Sequence, residues 1–184
     1  MRVIAGKHKG RKLKSPETNE VRPTTDKIKG AIFNVLQFND SDAIVLDLFA
    51  GAGGVGIEFL SRGAHKCYFN DKSRKSLKTI KENIEMCREL ENAEIMNMDY
   101  MKVLEMMKRK NIKLDYIFAD APYSLECGNQ IIEYVANNDI LSEKGKLIIE
   151  CEKNEKVIEN TYDNVIEYKE KIYGITKVIF VYFK

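Results

Sequence analysis

"VLDLFAGAGGVG", at residues 45–56, is the stretch that decides the fold. Its apolar start is typical of a buried strand. Gly51, Gly53 and Gly56 then follow with the G-x-G-x-x-G spacing that joins a strand to a helix in nucleotide-binding βαβ units. Glycines let the backbone turn tightly and approach a ligand without an intervening Cβ. Asp71 ends the next predicted strand, where a carboxylate can accept hydrogen bonds from both ribose hydroxyls. The stretch therefore predicts a site for a ribose-containing ligand.

Acidic residues around this loop separate two possible ligands, a dinucleotide and S-adenosylmethionine (AdoMet). Asp47 precedes the glycines, and a carboxylate there would repel the pyrophosphate of a dinucleotide. AdoMet has no phosphate, and its ammonium and sulfonium groups are cationic. Asp99 follows the third predicted strand and is placed to accept a hydrogen bond from the adenine amino group. The acids therefore favour AdoMet.

Strand-like and helical patterns alternate from residue 43 onward, which predicts βαβ units and a parallel sheet covered on both faces. Strands are predicted at residues 43–48, 66–70, 93–97, 114–119 and 146–150. Two further strands, at 165–171 and 176–183, are joined so closely at Tyr173 and Gly174 that they must pair antiparallel. The predicted fold is α/β: a doubly wound, mostly parallel seven-stranded sheet with a C-terminal antiparallel hairpin.

"DAPY", at residues 120–123, follows the fourth predicted strand. An acid, a proline and an aromatic residue at the carboxyl end of a strand are suited to gripping a flat group. The bland interpretation is a turn, because Asp and Pro are common turn formers. Its position beside an AdoMet-type loop favours an active site formed by Asp120, Ala121, Pro122 and Tyr123.

The N-terminal segment is strongly basic. Residues 1–16 carry six of the 30 lysines and arginines and no acid, so the rest of the chain is net acidic. Such a segment is either a phosphate-contacting surface or a solvated arm. Val3, Ile4 and Leu13 predict a small hairpin turning near Gly10, and residues 22–26 predict the start of a helix. We expect residues 1–40 to form an N-terminal extension of hairpin and helix, and residues 41–184 to form the main domain.

Composition limits the remaining classes of protein. A chain of 184 residues is long enough for one well-buried domain. No window is apolar enough for a transmembrane span, and the N-terminus lacks a secretory pattern. Four scattered cysteines argue against a zinc site or a disulfide framework and favour a reducing compartment. We therefore expect a cytoplasmic protein with no membrane partner and no metal.

Several motifs together resemble one family. The acids, the glycine loop and the terminal hairpin resemble Rossmann-like AdoMet-dependent methyltransferases, and DAPY is similar to the [D/N]-P-P-[Y/F] motif of amino-group methyltransferases. The segments at residues 2–6, 10–13, 22–26 and 33–36 (RVIAG, GRKL, RPTTD and FNVL) are similar to the RsmD family. The resemblance covers nearly the whole chain. It implies a monomeric enzyme that methylates N2 of one guanine in small-subunit (16S) ribosomal RNA.

The resemblance also implies residue roles. Asp120 and the carbonyl of residue 121 would accept hydrogen bonds from the N–H groups of the target amine, and Tyr123 would stack on the base. The implied cofactor-binding residues are Asp47, Phe49, Gly51, Gly53, Gly56, Asp71 and Asp99. The expected RNA contacts are Lys7, Lys9, Arg11, Lys12, Arg22 and Thr24.

Two departures from the family pattern stand out. Ala121 replaces the first proline of the motif, and residues 27–30 (KIKG) supply lysines and a glycine where the family usually has an arginine. Lysine retains the charge but not the bidentate grip on phosphate.

Three rivals remain open from the residues alone. The first is a methyltransferase acting on another amine, such as adenine N6 in DNA or RNA. The second is an RNA-binding assembly factor with weakened catalysis. The third is a dehydrogenase.

Overall fold

A seven-stranded sheet forms the centre of the computed structural model, which describes residues 1–16, 24–121, 127–157 and 162–184. Its strands in chain order are β1 (Ile44–Asp47), β2 (Lys66–Asn70), β3 (Ala93–Met96), β4 (Leu114–Asp120), β5 (Leu141–Glu152), β6 (Val165–Tyr173) and β7 (Thr176–Phe183). The α-helices within the described residues are α1 (Asp26–Leu36), α2 (Gly54–Ser61), α3 (Arg74–Cys87), α4 (Tyr100–Arg109) and α5 (Gly128–Asn137).

The strand order is β3-β2-β1-β4-β5-β7-β6. The strands from β1 to β5 pair in parallel, and β7 lies antiparallel between β5 and β6. The order reverses between β1 and β4, and ligands of such sheets bind at the carboxyl ends of the strands at that switch point. The predicted fold class, including the terminal hairpin, is confirmed.

Alternate residues of each central strand feed two separate hydrophobic cores. On β4, Phe118 packs with the core that α1, α2 and α3 cover, whereas Ile117 packs with the core that α4 and α5 cover. On β7, Phe180 and Ile179 divide in the same way. Period-two alternation with both faces apolar is what a strand buried between two helical layers requires.

Strand β5 begins earlier than the sequence predicts. The prediction starts at residue 146, but Leu141 already pairs with Leu114 of β4. Polar residues at 142–144 conceal this start, and the register shifts between Leu114 and Tyr116 to accommodate it. A Cβ on Gly145 would lie 2.8 Å from the carbonyl oxygen of Leu114, so the close approach of the two strands there depends on glycine.

The N-terminal segment forms the predicted small hairpin. Arg2 and Lys12 form an antiparallel bridge, and the Val3 amide donates to the carbonyl of Arg11. Helix α1 then starts at Asp26, with the Thr25 side chain accepting from the amide of Ile28. Within the described residues, no helix is long and apolar enough to cross a membrane.

Candidate active site

The glycine loop follows β1 at the switch point of the sheet. Gly51 and Gly53 have φ angles of 56° and 78°, in the left-handed region that side chains disfavour. Gly53 is also the N-cap residue of α2. The glycines therefore let the chain reverse between β1 and α2 within a few residues.

Asp47 lies beneath this loop rather than on its open side. The side chain is buried, and its carboxylate accepts a 2.9 Å hydrogen bond from the backbone amide of Gly56. Burial raises the pKa of Asp47 to about 7, despite the opposing effect of this hydrogen bond, and the charge of nearby Asp71 adds to the rise. Asp47 thus connects the end of β1 to the first turn of α2.

Gly56 is required by packing rather than by its backbone angle. A Cβ at this position would lie 2.3 Å from Cε1 of Phe69 and 2.7 Å from Sγ of Cys67. Both neighbours belong to β2 and are buried. The third glycine therefore allows α2 to pack closely against the sheet, as its place in the motif predicts.

Asp71 follows β2 and connects two loops. Its Oδ2 accepts from the amide of Gly51 at 2.8 Å, and its Oδ1 accepts from the amide of Ser73 at 2.7 Å. Burial raises the pKa of this carboxyl, while the two backbone hydrogen bonds oppose the rise. The side chain is half-buried, so its remaining lone pairs are within reach of a ligand's hydroxyl groups.

Asn70 fixes the loops on either side of Asp71, a role that the sequence analysis missed. Its side-chain amide donates to the carbonyls of Leu48 and Met98 at 3.1 and 3.2 Å. Its side-chain oxygen accepts from the amide of Met98 at 3.0 Å. The signal was available, because Asn70 ends a predicted strand at the carboxyl edge of the sheet.

Asp99 lies after β3 and caps α4. Its Oδ1 accepts from the amide of Met101 at 3.0 Å, and its Oδ2 lies 2.6 Å from Nζ of Lys72. The hydrogen bond from Lys72 holds the pKa of Asp99 below its usual range. Phe49, from the loop after β1, packs its ring 5.5 Å from that of Tyr100. The loops that carry Asp99 and Phe49 therefore contact each other at the same edge, although β2 separates their strands.

The acceptors and the apolar side chain at this edge fit AdoMet. The half-buried carboxylate of Asp71 offers acceptors for ribose hydroxyls, and Phe49 offers an apolar face. Asp99 adds an acceptor that stays ionised at neutral pH. The acidic edge suits a cationic ligand that has no phosphate groups. We conclude that the residues present are chemically compatible with AdoMet.

Asp120 ends β4, next to β1 across the switch point, and is half-buried. Thr24 Oγ1 lies 3.0 Å from Oε2 of Glu150 and 3.3 Å from Oδ2 of Asp120, and its single O–H can donate to either carboxylate. Ala121 follows as a half-buried residue outside the strand. Pro122 and Tyr123, the remaining members of the predicted motif, lie outside the described residues.

The basic turn around residues 7–11 lies away from this edge. The amide of Lys7 donates to the carbonyl of Ser61, the last residue of α2, and Arg11 Nη1 donates to the carbonyl of Met86 near the end of α3. Because α3 has 14 residues and starts at the ligand edge, the turn is ~20 Å from that edge. The structure therefore does not bring these predicted RNA contacts together with the catalytic residues.

The four predicted lysine and arginine contacts of this segment differ in their partners. Lys7 Nζ lies 2.8 Å from Oε1 of buried Glu89, and Arg11 is held by its bond to α3. Lys9 and Lys12 are exposed, and their side chains have no ion pair or hydrogen bond among the residues described. Arg22 falls in a stretch that the structure does not describe.

Two buried polar residues fasten the N-terminal segment to the core, and the sequence analysis missed both. Glu58 of α2 accepts from the amides of Ile4 and Ala5 at 2.8 and 3.0 Å. Asn83 of α3 accepts from the amide of Lys14 and donates to the carbonyl of Ala52 in the glycine loop. The segment is thereby attached to the helix that follows the loop and to the loop itself.

Lys29 also helps to attach the N-terminal segment. It lies in the stretch, residues 27–30, where the family usually has an arginine. Its Nζ donates to the carbonyl of Arg2 at 2.6 Å and lies 3.7 Å from Oε2 of Glu58. The side chain is fully buried, and burial lowers its pKa. Lys29 is therefore committed to protein groups.

Comparison with known proteins identifies similar chains. A family model described as conserved hypothetical protein 95 matches residues 1–182. The YlbH protein of Bacillus subtilis is 35% identical over 178 residues, which cover 97% of this chain and 96% of that protein. The ribosomal RNA small subunit methyltransferase D of Haemophilus influenzae is 32% identical over 176 residues, which cover 95% of this chain and 90% of that protein. Among solved structures, yhhF of Escherichia coli has a TM-score of 0.82 at 26% identity and covers 100% of this chain and 98% of its own.

Proposed function

Because this chain belongs to the RsmD-type methyltransferase family, whose model matches residues 1–182, we propose that it transfers a methyl group from AdoMet to N2 of a guanine. The proposed substrate is small-subunit ribosomal RNA or the assembling small subunit, and the proposed place of action is the cytoplasm. One observation carries the proposal. Strands β1 and β4 are adjacent at the switch point, so the AdoMet-compatible loop after β1 and Asp120 at the end of β4 lie at the same edge of the sheet.

Asp120 is proposed to orient the target amine. An exocyclic amine on a purine is a poor nucleophile because its lone pair is delocalised into the ring. The carboxylate accepts a hydrogen bond from one N–H group of the amine, and the carbonyl of Ala121 accepts one from the other. These two bonds orient the nitrogen so that its lone pair faces the methyl group to be transferred. Positioning of this kind supplies much of the acceleration in an in-line displacement. When bound, AdoMet supplies the methyl group on a sulfonium, which makes the group an electrophile.

Asp120 also stabilises the charge that develops in the reaction. The nitrogen becomes positive as its bond to the methyl carbon forms, and a nearby carboxylate favours that charge. The N–H bond then breaks, and the proton passes to Asp120 or to solvent. Pro122 and Tyr123 keep the roles that the family resemblance implies, with Tyr123 stacking on the base that has left its own stack.

Residues 1–40 are proposed to contact RNA phosphates. Lys9 and Lys12 are the best supported of the basic residues, because their charges are exposed and no side chain among the residues described pairs with them. Lys7 and Arg11 are partly occupied by Glu89 and by the carbonyl of Met86. A contact ~20 Å from the reacting base is within the reach of a folded RNA substrate.

Methyl transfer to unmodified small subunits tests the proposal. The protein is incubated with radiolabelled AdoMet and subunits from a strain lacking the modification, and the RNA nucleosides are separated by mass spectrometry. We expect label in N2-methylguanine. Label in N6-methyladenine would instead support the adenine rival. AdoMet and RNA binding without any transfer would support the assembly factor.

A further inference from the structure

The hydroxyl of Thr24 lies between two carboxylates at the carboxyl edge of the sheet. Its Oγ1 is 3.0 Å from Oε2 of Glu150 and 3.3 Å from Oδ2 of Asp120. Thr24 and Glu150 are buried, whereas Asp120 is half-buried. Thr24 and Glu150 thus lie on the buried side of Asp120, the acid that the proposed reaction uses.

The sheet fixes the two carboxylates side by side. Asp120 and Glu150 are register partners of the parallel strands β4 and β5, and each belongs to the last residues of its strand. Backbone pairing therefore sets the separation of their Cα atoms. The Thr24 hydroxyl has one proton and donates to one carboxylate at a time. Because both acceptors are within hydrogen-bond distance of it, this contact limits the rotamers that Asp120 and Glu150 can adopt.

The position of the hydroxyl is itself fixed by helix α1. Thr24 immediately precedes Thr25, the N-cap residue of α1. The buried faces of α1 include Ile32 and Phe33 in the core, and Lys29 is bound to Arg2 and Glu58. Movement of Thr24 away from Asp120 would therefore require the start of a well-anchored helix to move.

We propose that Thr24 and Glu150 are positioning residues that hold the Asp120 carboxylate in the orientation needed to accept the target amine. This inference rests on the proposed function. It assigns Thr24 an intramolecular role in place of the RNA contact expected from the sequence. It also gives Glu150 a role that the sequence analysis did not consider.

Substitutions at Thr24 test the role of the hydroxyl. Thr24→Val keeps the shape but removes the hydrogen bond, so we expect kcat to fall on the order of 10- to 100-fold, the range that a small misplacement of a reacting group produces. The Kd for AdoMet and the KM for RNA should change by less than about threefold, since neither ligand loses a contact. Thr24→Ser restores the hydroxyl and should bring kcat back to within about threefold of wild type.

Thr25→Val is the matched control on the next residue. Its hydroxyl oxygen caps α1 rather than touching Asp120. Loss of an N-cap destabilises a helix, so this variant should lower Tm, but it keeps the Thr24 hydroxyl and should keep kcat within about threefold of wild type. Thr24→Val loses a buried hydrogen bond and should lower Tm as well. It should in addition lower kcat at least about tenfold, a difference between the two variants that a purely structural role at Thr24 would not produce.

Substitutions at Glu150 test the second partner. Glu150→Gln retains an acceptor oxygen and should keep kcat within about threefold, whereas Glu150→Leu removes it and should lower kcat at least about tenfold. Glu152→Leu, at an exposed position two residues along the same strand, is the control and should have no effect.

The outcomes separate the two proposals. A Thr24→Val or Glu150→Leu protein that is as active as wild type would overturn the positioning role and leave the proposed function standing. So would a loss of kcat that Thr24→Ser does not reverse. A wild-type protein that transfers no methyl group to RNA would overturn the proposed function and this role with it.

Discussion

The Asp47 carboxylate accepts a 2.9 Å hydrogen bond from the backbone amide of Gly56, which lies nine positions further along the chain. This contact joins β1 to α2 beneath the glycine loop and places an acid in a fully buried position. Because burial raises its pKa from 3.8 to about 7, Asp47 makes the stability of the fold depend on pH.

Asp47→Asn should remove that dependence. Between pH 4 and pH 7 the folded protein holds the Asp47 proton more tightly than the unfolded chain does, so stability falls as the pH rises and the full penalty is present above pH 7. Asparagine cannot ionise, yet its side-chain oxygen still accepts from Gly56. We therefore expect the Tm of the variant, relative to wild type, to increase from pH 4.5 to about pH 7 and then to level off.

Thermal unfolding across this pH range measures the effect. Asp42→Asn, at an exposed position, serves as the control and should show a difference from wild type that does not vary with pH. A constant difference for Asp47→Asn would contradict the assignment of the titration to Asp47.

Two glycine-to-alanine substitutions in helices should change stability in opposite directions. Gly56→Ala places a Cβ 2.3 Å from Phe69, and the resulting overpacking should cost about 1–3 kcal/mol. Gly30→Ala, in α1, places a Cβ whose nearest contact is Ile4 Cδ1 at 3.9 Å. Since alanine favours helix and restricts the unfolded chain, this change should stabilise by about 0.4–1 kcal/mol. Urea unfolding of both variants checks the prediction, and equal signs would contradict it.

Local patterns predicted the parts of this structure that depend on neighbouring residues. The spacing of Gly51, Gly53 and Gly56 predicted the turn from β1 to α2, and residues 22–26 predicted the start of α1, whose N-cap is Thr25. The short turn at Gly174 predicted the antiparallel hairpin. In each case the structural demand and the residue that meets it lie within a few positions of each other.

Contacts between distant segments were not predicted. Thr24 meets Glu150 across 126 positions of sequence, and Glu58 meets Ile4 across 54. Nothing in the local pattern distinguishes these polar residues from exposed ones, because their burial depends on how the strands and helices pack. The location of the basic turn at the far ends of α2 and α3 was missed for the same reason.

Asp71→Asn should weaken the binding of AdoMet. The substitution keeps one oxygen that can accept from Gly51, but it loses the bond from the Ser73 amide and the charge that strengthens hydrogen bonds to ribose hydroxyls. Hydrogen bonds to charged groups are worth about 1.5–3 kcal/mol, so we expect the Kd measured by calorimetry to rise about 10- to 100-fold. Asp139→Asn, at an exposed acid paired with Lys113, should leave the Kd unchanged. An unaltered Kd for Asp71→Asn would remove Asp71 from the proposed cofactor site.

Asp120→Ala should nearly abolish methyl transfer while AdoMet still binds. The variant loses the acceptor that orients the amine and stabilises its developing charge, and losses of this kind lower kcat by about 100- to 1000-fold. Single-turnover transfer from radiolabelled AdoMet gives the rate, and calorimetry gives the Kd, which should stay within about twofold. Asp163→Ala, at an exposed position, controls for the loss of one negative charge. Normal transfer by Asp120→Ala would contradict the role proposed for Asp120 in the reaction.

Removing the charges of Lys9 and Lys12 should weaken RNA binding uniformly. Each lysine that neutralises a phosphate releases a counterion, so a double Lys9→Ala, Lys12→Ala variant should bind small-subunit RNA less tightly. Its slope of log affinity against log salt should be shallower by about 2. The control variant Lys110→Ala, Lys144→Ala changes two other exposed lysines and should retain the wild-type slope.

Lys7 and Arg11 should respond differently, because Lys7 is paired with Glu89 and Arg11 is bonded to the carbonyl of Met86. Their replacement by alanine should lower Tm and should leave the slope of log affinity against log salt close to the wild-type value. The opposite result would be a wild-type slope for the Lys9 and Lys12 variant and a shallower slope for the Lys7 and Arg11 variant. It would mean that RNA contacts the turn through Lys7 and Arg11 rather than through Lys9 and Lys12.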